Sequence, residues 1–187
     1  LGVHDLRKKE DEELVDLLKI ENKRISRHAA RLLQERSMNA KISPEGIRKL
    51  YNMQKAKKLS NRLQSLWLLY MIGETKEKEL ISLLDDKEEH VRVWALKLLV
   101  DNGKASPRAS KAIIVKAKQE KSSFVKLHLA SIMRNLSEQD RWTLSEILVA
   151  AENLKNDPVY PLMVWYGLEE LVNNNPQRAL QLATQSL

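Results

Sequence analysis

One apolar stripe recurs along this chain, and its period is helical. Ile25, His28, Ala29, Leu32 and Leu33 are matched by Leu63, Leu66, Trp67, Tyr70 and Met71. Val91, Trp94, Ala95, Leu98 and Leu99 follow, then Val125, His128, Leu129, Ile132 and Met133. Residues spaced i, i+3, i+4, i+7 share one face of a helix, so each set is an amphipathic helix that needs a partner. A shorter amphipathic run precedes the stripe, as in Glu12–Leu18 and Lys78–Leu84, with a polar turn between. The unit is helix, turn, helix. Stripes begin at residues 25, 63, 91, 125 and about 159, an irregular spacing within the range of stacked helix pairs.

Composition and punctuation agree. Leucine occurs 31 times against 21 for isoleucine plus valine, with five glycines and five prolines in 187 residues. That balance favours helices over strands. Ser43-Pro44, Ser106-Pro107, Asp157-Pro158 and Asn175-Pro176 each pair a capping side chain with a proline suited to the first helical position. Ser137 and Asp140 have capping-box spacing, and Gly73 and Gly103 follow leucine-rich runs as C-terminal caps. The chain is expected to be all-α.

At Leu83-Leu84-Asp85-Asp86 through Val91-Arg92-Val93-Trp94-Ala95 the sequence resembles HEAT repeats: a leucine-rich first helix, an acidic turn, then Val-Arg-x-x-Ala opening the second. Leu17 to Asn22 followed by Ile25 to Ala30 is a looser version. The resemblance implies a right-handed α-α superhelix, a HEAT/armadillo-like solenoid of about five helix pairs plus a terminal helix, as a single repeat domain over 1–187. Tetratricopeptide signatures are absent. Arg178 to Leu187 reads as the first helix of a sixth pair. With an opening Leu1-Gly2-Val3-His4, the chain reads as a piece of a larger multidomain protein.

Chemistry is sparse. There is no cysteine, hence no disulfide, thiolate nucleophile or zinc-thiolate site within the piece. His28 and His128 occupy the stripe position that holds Trp94, so packing accounts for them; His90 falls in a turn and His4 at the start. No His-x-x-x-His spacing, nucleophile elbow or phosphate loop occurs. No catalytic, cofactor-binding or metal-binding residue is expected. Trp67 and Trp94 are expected between neighbouring repeats, where Trp94→Ala is expected to cost about 3–5 kcal/mol. Trp142, Tyr160, Trp165 and Tyr166, with Glu169 one turn beyond Trp165, form a candidate aromatic groove.

The net charge of +7 is a sum over blocks. Residues 19–62 hold 13 Lys or Arg against three acids and 104–136 hold eight against one, whereas 63–103 and 137–187 are net acidic. Arg24, Arg27, Arg31, Lys55, Lys57, Lys58, Lys116, Lys118 and Lys121 form a candidate interaction surface if curvature joins them.

The leading functional expectation is a non-catalytic scaffold or protein-interaction module, with other proteins or neighbouring domains of the same chain as partners. Leu66 to Glu74, the Val91–Ala95 unit and Asp157 to Glu169 resemble the helical-repeat segment of large secreted bacterial proteins. Those proteins resemble membrane-bound dehydrogenases and carry a haem-binding Cys-x-x-Cys-His domain. That resemblance implies an extracytoplasmic setting, with haem bound elsewhere. The alternative is nucleic-acid binding through the basic faces, including the activity of the HEAT-like alkylpurine DNA glycosylases that the architecture also resembles. No apolar run is long enough to span a membrane.

Overall fold

The computed structural model describes residues 5–151, 154 and 156–185, with the side chain of Gln185 left out; His4 and the other N-terminal residues lie outside them. Among the described residues the structure is all-helical, with eleven α-helices, two short 3-10 turns and no strand. It divides into two compact units, Leu1–Lys76 and Glu77–Leu187.

The first unit holds α1 (Asp11–Leu18), α2 (Lys23–Asn39), α3 (Pro44–Gln54) and α4 (Leu59–Met71). Helix α1 pairs with α2 and α3 with α4; α1 then packs on α3, and α2 on α4. Ser43 caps α3 by accepting from the Gly46 N–H at 3.1 Å, with Pro44 opening the helix. Asp11 ties the two first helices together, its carboxylate accepting from the Ser43 N–H at 2.8 Å and from Arg36 Nη1 at 2.7 Å. The core comprises Leu14, Val15, Leu18, Ala29, Leu32, Leu33, Leu50 and Leu69 with their neighbours. Each first helix and each second helix thus supplies part of one apolar layer.

The second unit holds α5 (Glu77–Leu83), α6 (Glu89–Leu99), α7 (Pro107–Gln119), α8 (Ser123–Ser131), a 3-10 turn (Met133–Asn135), α9 (Glu138–Val149), α10 (Tyr160–Val172) and α11 (Pro176–Gln185). Two rows form: α5, α7, α9 and α11 pack in sequence, and so do α6, α8 and α10. Both edges of these rows are laced. On one, Ser122 Oγ donates to Glu89 and Lys116 pairs with Asp85 at 2.8 Å. On the other, the Ala105 N–H donates to the Asn135 carbonyl, and Asn135 Nδ2 to the Gly103 carbonyl, both at 2.9 Å.

Most expected caps are where their chemistry places them. Ser106, Ser137 and Asn175 accept from the N–H groups of Ala109, Asp140 and Arg178, and Gly73 and Gly103 take φ of 79° and 91°, which a side chain resists. Asp157 departs from expectation. Its carboxylate accepts from the Val159 and Tyr160 N–H groups, so Pro158 sits in the capping turn and Pro161 occupies the first turn of α10.

The expected stripes are the covered ones at Ile25–Leu33 and Val125–Met133, whereas those of α4 and α6 are rotated. In α6 the buried residues are Val91, Val93, Ala95, Leu96 and Leu99, and Trp94 is half-buried with Lys97 Nζ 5.1 Å from its ring centre. Trp67 is likewise half-buried. The enclosed tryptophan is Trp142, only 2% exposed.

Candidate interaction surfaces

The basic residues of the first unit gather at one edge. Helices α1 and α3 run side by side in the same direction, joined by Ser43 to Asp11 at their starts and by Lys49 to Asp16 further along, and Gln64 Nε2 of α4 donates to Ser26 Oγ of α2 at 3.0 Å. The α1–α2 and α3–α4 turns therefore share an edge. Lys55, Lys57 and Lys58 in the second turn lie on the same edge as Arg24 at the start of α2, while Arg27 and Arg31 continue along the exposed face of α2. All six side chains are exposed, and Arg31 alone among them is ion-paired within the described residues, to Glu35 at 3.1 Å. In the second unit Lys116 is largely covered by its pairing with Asp85, whereas Lys118 and Lys121 are exposed.

Beside Lys121 lies an ion pair that residue spacing did not signal. Arg92 donates through Nε and Nη2 to Glu120 at 2.8 Å each, and Nη1 donates to the Asp86 carbonyl at 2.9 Å. Glu120 also accepts from the Lys121 and Ser122 N–H groups. Burial works to raise the pKa of Glu120, but the Arg92 hydrogen bonds and the Ser122 N–H outweigh it and hold the carboxyl below its usual range. With four hydrogen bonds to it, three on Oε1 and one on Oε2, this carboxylate fastens two turns.

The histidines do not converge on a ligand. His90 and His128 flank Phe124 edge-on, with ring centres 4.9 and 4.8 Å away. Burial, then the charges of Lys97 and His90, push His128 below its ordinary pKa. His28 is half-buried in α2. Among the described residues no group of three or more His, Cys, Asp or Glu could hold a metal, and no helix is long and apolar enough to cross a membrane.

The five residues of the aromatic set separate. Trp142 lies inside the core, capped by Arg178 at 5.2 Å from its ring, while Arg178 also pairs with Glu146 at 2.7 Å. Tyr160 is buried too, and its Oη donates to the Leu148 carbonyl at 2.9 Å; burial raises its pKa. Trp165 and Tyr166 remain half exposed on α10. Glu169 is exposed and pairs with Arg134 at 3.4 Å. Behind them, Arg141 is buried, giving Nε to the Gly167 carbonyl at 2.7 Å and pairing with Glu170.

An apolar groove of about 330 Å³ opens between α10 and α11. Tyr160, Val164, Leu168 and Leu182 form its floor, and Trp165 and Ala179 contribute to its sides. Tyr160 and Trp165 are thus brought together at one concavity, and Trp142, Tyr166 and Glu169 are not part of its lining. Leu162 and Leu180, both exposed, add to the apolar surface of the same two helices. The only sequence signal for them was their place on helices already rich in leucine.

Among the described residues, fold and surfaces define two all-helical units of packed hairpins, the first with a basic edge and the second with an apolar groove between α10 and α11. Comparison with known protein families, with curated proteins and with solved structures finds no match to the chain.

Proposed function

We propose that the chain is a non-catalytic helical-repeat scaffold that docks another protein or domain at the α10–α11 groove. The observation that supports this reading is the groove itself: a concave apolar site with a half-exposed tryptophan at its side and few polar groups in its lining. Exposed apolar surface of this kind marks contact sites when it is contiguous. The two-row packing within each unit also fits a HEAT-like, right-handed solenoid in which successive hairpins continue the same rows. Resemblance to the repeat segment of secreted bacterial redox proteins would make the piece a spacer or docking segment in an extracytoplasmic assembly.

The basic edge favours a second reading, nucleic-acid binding. Arg24, Arg27, Lys55, Lys57 and Lys58 are exposed with no ion-pair partner among the described residues, the arrangement that phosphate backbones would meet. One experiment separates the two. Tagged wild-type protein, a Trp165→Glu/Leu180→Glu variant and a Lys55→Glu/Lys57→Glu/Lys58→Glu variant are used for capture from an extract and titrated with duplex DNA at about 50 mM salt. The scaffold reading expects the groove variant to lose specifically captured proteins and the wild type to ignore DNA. Tight, salt-sensitive DNA binding lost in the lysine variant, with capture unaffected in the groove variant, would overturn it.

A further inference from the structure

A second concavity, about 360 Å³, lies where α5 packs on α7, and its lining differs in kind from that of the α10–α11 groove. Ile81, Leu84 and Val115 give it an apolar bed, with Val115 half exposed, and Arg108 and Lys111 stand beside that bed. Both cations are exposed, and neither has an ion pair or hydrogen bond among the described residues. Asp85, the one acid that lines the groove, is already taken by Lys116 at 2.8 Å.

Along α7 the arrangement follows from spacing. Arg108, Lys111, Val115 and Gln119 fall at i, i+3, i+7 and i+11, one straight stripe about 16 Å long at about 1.5 Å per residue. The helix from Pro107 to Gln119 contains four cations and no acid. Glu120 is the one acid in residues 104–136, and its bonds to Arg92 hold it in the turn beyond the helix. Arg108 and Lys111 therefore set an uncompensated positive potential over an apolar strip.

We propose that the α5–α7 groove docks an acidic amphipathic segment of a partner protein, with apolar side chains on Ile81, Leu84 and Val115 and carboxylates against Arg108 and Lys111. Charge complementarity selects this occupant. A phosphate backbone would satisfy the two cations but has no side chain to cover the apolar bed. A wholly apolar helix would cover the bed while stripping water from two unpaired charges. Helix α1, with four acids in eight residues, has the required pattern, but its Leu14, Val15 and Leu18 are buried in the core of the first unit, so it is not free to serve as the occupant in a second copy. The site shares no lining residue with the α10–α11 groove and does not depend on that groove being occupied. A contact of about three helical turns is far smaller than a standard interface, so binding is micromolar.

Fluorescence anisotropy with the full chain tests this, using labelled peptides of about 14 residues, enough to span the stripe as a helix. The first carries leucines at i, i+3, i+4 and i+7 among glutamates, the second has each Glu replaced by Gln, and the third is the first scrambled to break the leucine stripe. The acidic striped peptide is expected to bind, the other two at least about tenfold more weakly, and its affinity falls between about 50 and 200 mM salt. Arg108→Glu/Lys111→Glu weakens it at least about tenfold and Val115→Ser weakens it too, whereas Lys57→Glu and Trp165→Glu/Leu180→Glu bind as wild type does. Glutamate at 108 lies in the first turn of α7, where an anion favours the helix, so unchanged circular dichroism is expected in the double variant. No binding of the acidic peptide up to about 200 μM, or equal binding of the Gln or scrambled peptide, overturns the proposal. Loss of binding in Trp165→Glu/Leu180→Glu with Arg108→Glu/Lys111→Glu unaffected places the peptide at α10–α11 and overturns it as well. So does duplex DNA that binds more tightly than the peptide and is released by Arg108→Glu/Lys111→Glu.

Discussion

Alanine at residue 167 directly perturbs the way α10 sits on the turn after α8. In an exposed helix interior, glycine to alanine gains about 1 kcal/mol. Here the added Cβ would lie 2.6 Å from Met133 Sδ and 2.8 Å from Met133 Cβ and Cε. No rotamer of Met133 removes the contact with its own Cβ, and Met133 is fully buried, so α10 must shift outward. That shift strains the bonds from Arg141 Nε to the Gly167 carbonyl, 2.7 Å, and from Arg134 Nε to the Tyr166 carbonyl, 2.8 Å. Overpacking costs about 1–3 kcal/mol and loss of a buried charged hydrogen bond about 1.5–3 kcal/mol. Less the helix gain, Gly167→Ala is expected to destabilise by about 2–4 kcal/mol, read as a lower urea midpoint at unchanged slope. Met133→Ala removes two of the three contacts, so in a double-mutant cycle it should recover part of the loss. A Gly167→Ala protein as stable as wild type would refute the close packing of α10 on that turn.

Four further outcomes follow from the same contacts. Trp142→Ala should cost about 3–5 kcal/mol because the ring is enclosed, and Trp94→Ala about 2 kcal/mol because it is half-buried; equal thermal shifts would contradict the assigned depths. Arg92→Met alone should cost about 2–4 kcal/mol by stranding buried Glu120, and Arg92→Met/Glu120→Leu less than the two singles combined, measured by urea unfolding. Glu120 has a folded pKa below its unfolded value of ~4.3, so its contribution is present above that pH and is lost as pH falls through the folded pKa; Glu120→Gln should flatten the stability curve there. His128 is also depressed when folded, so the unfolded chain binds its proton first and stability should fall as pH drops below about 6.5, a decline that His128→Gln removes.

Local chemistry was the most readable part of the sequence. A serine before Pro44 or Pro107 caps its helix through atoms three residues away, and no distant neighbour intervenes. Asp157 was read less well because Pro158 and Pro161 both satisfy first-turn geometry, and tertiary packing chose the second. Burial depth was harder. Trp94 lies on the periodic stripe, but the row it faces determines how much of the ring is covered, and that row comes from residues a full repeat away. The same distance hid Glu120 and Arg141, charged residues at buried positions whose partners Arg92 and the Gly167 carbonyl lie 28 and 26 residues off. Half of the groove was visible as the Tyr160–Trp165 pair. Trp142 sits on the buried face of α9 with Arg178 of α11 over its ring, whereas Trp165 stays half exposed on α10.

The claim that the α10–α11 groove is the working surface is tested most directly by a photocrosslinker placed on it. With p-benzoylphenylalanine in place of Trp165, Met38 or Lys57, irradiation in an extract should yield covalent protein adducts at position 165 and none at 38 or 57. Adducts confined to position 57, or none at 165, would contradict it.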